Sequence, residues 1–253
     1  MSVQWIHPEW PAPANVHALI TTRAGGVSRG PYGVPPERTG GMNIGLGCGD
    51  DIADVTANRA LLRASLPADP RWLHQVHGAA VVDASRVDSG AMADASFTNQ
   101  PNVVCVVSIA DCMPVLLADA SGRSVGVAHA GWRGLAAGVV QATAKAIRAS
   151  LNDSGAELFA YLGPAIGPRH FEVGAEVLAA MQVGLPDAGS AFTQRPNGKY
   201  LADLFALGRQ ALDQAGVSRI YGGNDCTFSD PRRFYSFRRD EVTGRHAALI
   251  WRI

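Results

Sequence analysis

The chain has 253 residues, with 22 Lys plus Arg against 22 Asp plus Glu, 47% hydrophobic and 17% charged residues. That length suits one large α/β domain or two small ones with a substantial core. A formal net charge of zero excludes the basic excess of a general nucleic-acid or anionic-membrane binder, so any anion recognition has to be local.

The opening Met1 to Pro8 lacks the basic start and apolar run of a signal peptide, and no segment approaches the ~18 apolar residues of a membrane helix. The irregular, glycine-rich stretch from Ala24 to Asp51 is long enough to be functional or mobile, with Val34 to Thr39 read as a surface excursion. Asp54 is placed to cap a helix from Val55 to about Leu66, ended by Pro67. Val103 to Ile109 is a β-branched apolar run and reads as a buried strand. Met113 to Ala118 and Ser124 to Ala128 follow as strands, turned at Ser121-Gly122. Leu135 to Leu151 carries Val140, Thr143, Ile147 and Leu151 on one helical face. Leu158 to Leu162 is a strand, Val173, Val177 and Met181 mark a helix, and Asp203 to Ala215 is another, closed by Gly216. Ile220-Tyr221 is a short strand, and Phe234 to Arg238 and His246 to Trp251 read as two more. Strands and helices mixed without clean βαβ alternation predict a layered, mixed α/β (α+β) fold, with no visible domain boundary.

Reactive side chains gather in three segments: His74 to Gly78, Ala110 to Pro114 and His129 to Gly134. A catalytic zinc takes three protein ligands and keeps its fourth position for water or substrate, and one Cys with two His meets that need. His74 and His77 are three apart. In a strand only one of them would face a metal; in a helix both would share a face. Spacing does not choose between these, and dispersed ligands equally fit a metal-free pair in which Cys112 is the nucleophile and His129 the base. The four cysteines, Cys48, Cys105, Cys112 and Cys226, contain no C-x-x-C pair. A reducing, cytoplasmic setting follows, with Cys105 as an inert core residue.

The ordered motifs run through the chain. They include Thr21 to Ser28, Met42 to Gly45, Gly49 to Asp51, Asn58-Arg59, Gln75 to Gly78, Ala110 to Cys112 and His129 to Gly134. Further on come Gly163 to Pro168, Phe171 to Gly174, Cys226-Thr227, Phe234 to Asp240 and Thr243 to Arg245. Together they resemble the YfiH-like family, also called laccase-domain or polyphenol-oxidase-like proteins. The resemblance implies a single-domain layered sandwich related to a cysteine-hydrolase-like architecture. It implies zinc held by His77, Cys112 and His129, phosphorolysis of adenosine, inosine and methylthioadenosine, and a companion adenosine deamination. Val34 to Gly41 departs from the pattern as an insertion next to Asn43.

For deamination, the expectation is a metal-activated water attacking C6 of adenine, with Asp111 as proton shuttle or, alternatively, as a structural carboxylate. For phosphorolysis, Gly131, Arg133 and Gly134 precede a helix start that favours an anion. Arg133, Arg23, Arg238 and Arg239 are the candidate phosphate ligands, Asn43 the candidate ribose or base contact, and Trp132 a packing residue. The expected partners are a small nucleoside and phosphate, with no nucleic acid or membrane, and the chain acts as a monomer or small homo-oligomer. Two other readings stand beside this one. A copper-dependent polyphenol oxidase would need more imidazoles than seven scattered histidines supply, although copper in the zinc site could give weak oxidation. A Cys/His amidase would act on cell-wall precursor peptides.

Overall fold

The computed structural model describes residues 5–253; the leader reading of Met1 to Gln4 lies outside them. Two sheets pack face to face. The first has the strand order Val16–Ile20, His246–Arg252, Val104–Ile109, Pro70–Arg71. The second has the order Arg219–Gly222, Leu158–Leu162, Met113–Asp119, Val125–Ala130, Ala95–Thr98, Val81–Asp83.

The period of two along each strand assigns alternate residues to different layers. Val104 and Val106 face a core shared with Leu62 of the first helix and Leu66 just beyond it, whereas Cys105, Val107 and Ile109 pack against Leu116, Ala118, Val125 and Val127 of the second sheet. On that sheet's other face, Val115, Leu117, Ala128 and Ala130 meet Val140, Ala144 and Ile147 of the Val139–Ser150 helix and Leu207 and Ala211 of the Leu204–Gln214 helix. The result is a four-layer sandwich, helix–sheet–sheet–helix. The middle strands are buried on both faces, which is why they read as continuous apolar runs rather than alternating ones.

The expected mixed α/β layered fold is present, with local corrections. The first helix is Ile52–Arg63, and Asp51, not Asp54, caps it by accepting the Ala53 N–H. Its first turn carries the exposed Ile52, so no apolar periodicity marks the start. The single helix expected over Leu135 to Leu151 is two, Trp132–Ala136 and Val139–Ser150. Gly138 separates them in the left-handed region, φ 84°, a conformation that stops a helix and favours glycine. Val173 lies in a two-residue strand ahead of the Ala175–Gly184 helix. Phe234 to Arg238 is not a strand. Ser236 caps a one-turn helix, Phe237–Asp240, through the Arg239 N–H, while Phe234 and Tyr235 are buried. In the 34–39 excursion, residues 36–39 are exposed but Val34 is buried.

Candidate metal centre

The antiparallel pairing of Met113–Asp119 with Val125–Ala130 sets the site. His129 lies inside its strand, not after it as the sequence reading had it, and stands opposite Pro114. The turn before the partner strand therefore brings Cys112 beside the end of the His129 strand. Gly131 completes the approach. A Cβ there would sit 2.6 Å from the Cys112 Sγ, closer than any real contact, so the thiol requires glycine at this position.

His77 arrives from a third segment and is neither in a strand nor in a helix. It sits in a tight turn at φ 61°, an uncommon conformation for a non-glycine residue. Two anchors hold the turn. Gln75 donates to the Ser108 carbonyl at 2.9 Å and accepts the Ser108 N–H at 2.8 Å. Asp94, fully buried, accepts the N–H groups of Val76 at 3.1 Å, His77 at 2.9 Å and Gly78 at 2.7 Å. The same carboxylate lies 2.9 Å from His129 Nδ1. Asp94 thus ties two candidate metal-binding histidines from separate segments together and leaves His129 Nε2 as the nitrogen open to Cys112 or a metal.

The ligand atoms of His77, Cys112 and His129 lie within 4.8 Å of one another, the only such group of three or more His, Cys, Asp or Glu among the described residues. The His77 and His129 rings meet edge to face, centroids 4.9 Å apart. Burial would raise the Cys112 thiol, but the charge of His129 and hydrogen bonds from His129 and His77 outweigh it and lower it well below its usual value. Burial would lower His129, but the Cys112 charge and the Asp94 hydrogen bond raise it. Asp94 would likewise be raised by burial, and the hydrogen bonds from His129, Gly78 and Val76 hold it below the usual carboxylate range. Thiolate beside two imidazoles is the donor set that zinc and copper accept, so the residues fit a metal with three protein ligands.

These residues line a cavity of about 870 Å³. Asp111 also lines it, at φ 83°. Its carboxylate accepts the Thr227 hydroxyl at 2.6 Å and the Arg238 N–H at 2.7 Å. Arg133 and Arg238 reach the cavity, the former over the Trp132 ring at 4.3 Å and the latter bonded to the Glu172 carbonyl. Trp132, expected only to pack, is part of the cavity wall as well. The helix at Gly131 has only five residues and no side-chain cap, too short to present the dipole expected there.

Three expected contacts are elsewhere. Arg23 is 3% exposed. Its guanidinium donates to the carbonyls of Gly33, Pro31 and Pro231 and pairs with Asp240 at 3.4 Å. Arg239 is spent on the carbonyls of Thr227, Phe228 and Phe234 and on Asp240. Asn43 is fully buried, donating to Asp50 and accepting from the Gly45 and Arg245 N–H groups. All three brace loops around the cavity and none lines it. Asp94 was missed because nothing in its local run marks it. The one available signal is a lone carboxylate between Ala93 and Ala95 at the edge of an apolar strand, a charge that has to find donors once buried.

A family model described as multi-copper polyphenol oxidoreductase laccase matches residues 17–253. The chain is 48% identical to purine nucleoside phosphorylase PA4543 of Pseudomonas aeruginosa over 250 residues, covering 98% of each. It is 45% identical to purine nucleoside phosphorylase YfiH of Escherichia coli, again covering 98% of each. Among solved structures, Neisseria meningitidis protein NMB0706 superposes with a TM-score of 0.89 at 43% identity, covering 98% of both chains. YlmD from Geobacillus stearothermophilus does so at 0.89 and 31%, covering 100% of this chain and 97% of the other. With its motifs, layers and site all in agreement, the chain belongs to the laccase-domain, YfiH-like family.

Proposed function

We propose that the protein is a zinc-dependent purine nucleoside phosphorylase of the reducing cytoplasm, with adenosine deamination as a second activity. The observation that carries this is the cavity itself. His77, Cys112 and His129 converge in it, and four arginines line it, Arg59, Arg133, Arg238 and Arg245. None of the four guanidiniums pairs with a carboxylate among the described residues. In a chain of zero net charge, that is a local excess of positive charge suited to phosphate. The four cysteines are free, and no helix among the described residues is long and apolar enough to cross a membrane.

His77, Cys112 and His129 would hold the metal, which supplies Lewis acidity when bound. Arg133 and Arg238 orient phosphate toward C1′ of the ribose. Phosphorolysis then forms the C1′–O bond as the glycosidic bond breaks, releasing the base of adenosine, inosine or methylthioadenosine. Asp111 is the proton carrier for deamination. One lone pair on each of its oxygens is used by Thr227 and Arg238, and the remainder serve the substrate. The acting unit is a monomer or small homo-oligomer.

One observation favours a second reading. Asp94, His129 and Cys112 are ordered as orienting carboxylate, base and nucleophile, an arrangement suited to an amidase on peptide substrates. Product chromatography from adenosine and inosine, with and without phosphate and chelator, separates the two. Base release that needs phosphate, stops on chelation and is lost with bound zinc in His77→Ala and Cys112→Ala supports the phosphorylase. Activity that survives full chelation and dies on thiol alkylation overturns it. Metal analysis of protein made without added copper separates zinc from copper.

A further inference from the structure

A second set of elements builds one arm of the cavity: the 45–48 loop, Arg59 from the Ile52–Arg63 helix, Trp72, Phe237 and Arg245. Arg59 and Arg245 flank a single residue. The Ile44 carbonyl accepts Arg59 Nε at 2.8 Å, and the Ile44 N–H donates to the Arg245 carbonyl at 3.2 Å. The Arg59 guanidinium carbon lies over the Trp72 ring, 3.9 Å from its centre. Arg245 is held by the carbonyls of Thr243 and Gly244 through Nη1, and lies 6.0 Å from the Phe237 ring centre. No hydrogen bond or ion pair engages Arg59 Nη1, Arg59 Nη2 or Arg245 Nη2 among the described residues.

Neither guanidinium has an ion-pair partner among the described residues. Asp50, whose charge also acts on Cys48, accepts from the Ser28 hydroxyl, the Asn43 amide and the Asp51 N–H. The Cys48 thiol lines the same arm, where burial raises it against the pull of Arg245 and Arg59. Both arginines are half-buried, and burial disfavours the Arg59 charge. A pair of oriented, half-buried guanidiniums with open Nη donors, beside one indole face, fits a tetrahedral dianion next to a flat ring.

We propose that Arg59 and Arg245 form an anion subsite in this arm that takes a phosphate group, distinct from the phosphate placed by Arg133 and Arg238 at the metal. The group enters as a phosphate ester on the substrate, so the substrate class extends to 5′-phosphorylated nucleosides, or as free phosphate. This rests on the purine-nucleoside reading above for the identity of the rest of the substrate, while the anion chemistry stands without it.

The test is calorimetric titration of the metal-loaded enzyme, in phosphate-free buffer, with inosine, inosine 5′-monophosphate and, separately, inorganic phosphate, for wild type, Arg59→Met and Arg245→Met. The expected result is that the monophosphate binds at least ten-fold more tightly than inosine, about 1.4 kcal/mol. Each Met variant should lose that increment and leave inosine binding within two-fold of wild type. If a Met variant fails to fold, Arg→Lys at the same position keeps the charge but not the fork, and should lose most of the increment. A fall in inorganic phosphate affinity with no ester increment supports the subsite with free phosphate as its ligand. Unchanged affinity for both phosphate ligands in folded variants overturns it. If wild type cleaves nucleosides without needing phosphate but retains the arginine-dependent increment, the phosphorylase reading fails and the subsite stands. If turnover needs phosphate and the variants bind every ligand normally, the reverse holds.

Discussion

Asp94→Asn tests whether one buried carboxylate builds the metal centre. Asp94 Oδ1 serves the His77 N–H and His129 Nδ1, and Oδ2 serves the N–H groups of Val76 and Gly78. An amide can place oxygen at only one of these positions. With nitrogen in the Oδ1 place, it opposes the His77 N–H, and His129 can accept it only by moving its own proton to Nε2. That removes the lone pair a metal requires. With nitrogen in the Oδ2 place, the half-buried N–H donors of Val76 and Gly78 face another donor. Each stranded group costs about 1–3 kcal/mol, so the metal-free protein should lose about 2–4 kcal/mol. Loss of the carboxylate behind a ligand histidine should weaken metal binding about 10–100-fold. Denaturant unfolding of the metal-free protein and competitive titration against a chelator of known affinity measure the two effects. Wild-type metal affinity together with an unchanged unfolding midpoint would refute the reasoning.

Gly131→Ala should keep the fold, since φ is −70° there, but displace the Cys112 thiol; elemental analysis should show metal content well below wild type with little change in melting temperature. His246 is buried and neutral, pushed down to about 3 by burial first and the Arg23 charge second. An unfolded histidine titrates near about 6.5. Between those values only the unfolded chain takes the proton, so stability should fall as pH drops through this window, by up to about 1.4 kcal/mol per pH unit, and be unaffected above it. Unfolding at several pH values should show that component missing from His246→Asn, and equal pH slopes in the two proteins would rule it out. Arg23→Met strands the carbonyls of Gly33, Pro31 and Pro231 and should cost about 3 kcal/mol. Phosphate affinity in the folded variant should stay unchanged, and a selective loss of phosphate binding would restore Arg23 as a ligand.

The layers were legible because burial on both faces writes continuous apolar runs such as Val104–Ile109 into the chain. The metal trio was legible only as reactive residues in three motifs, since no spacing joins His77 to Cys112. Local signals failed where a neighbour or a glycine conformation decided the outcome: Asp51 over Asp54, Gly138 inside an apparently continuous helix, Ser236 turning an alternating run into a helical cap. The arginines show the same division. Their motifs marked Arg23 and Arg239 as readily as Arg238, yet tertiary packing commits the first two to backbone carbonyls and leaves Arg59 and Arg245 open to the cavity. The sequence by itself determined which side chains could do chemistry and which segments had to be buried, because those follow from side-chain identity and period. Only the tertiary structure decided which of them meet. Strand register places Cys112 beside His129, and Asp94, carrying no local signal, aims His129 by accepting bonds from a turn 16 to 18 residues away.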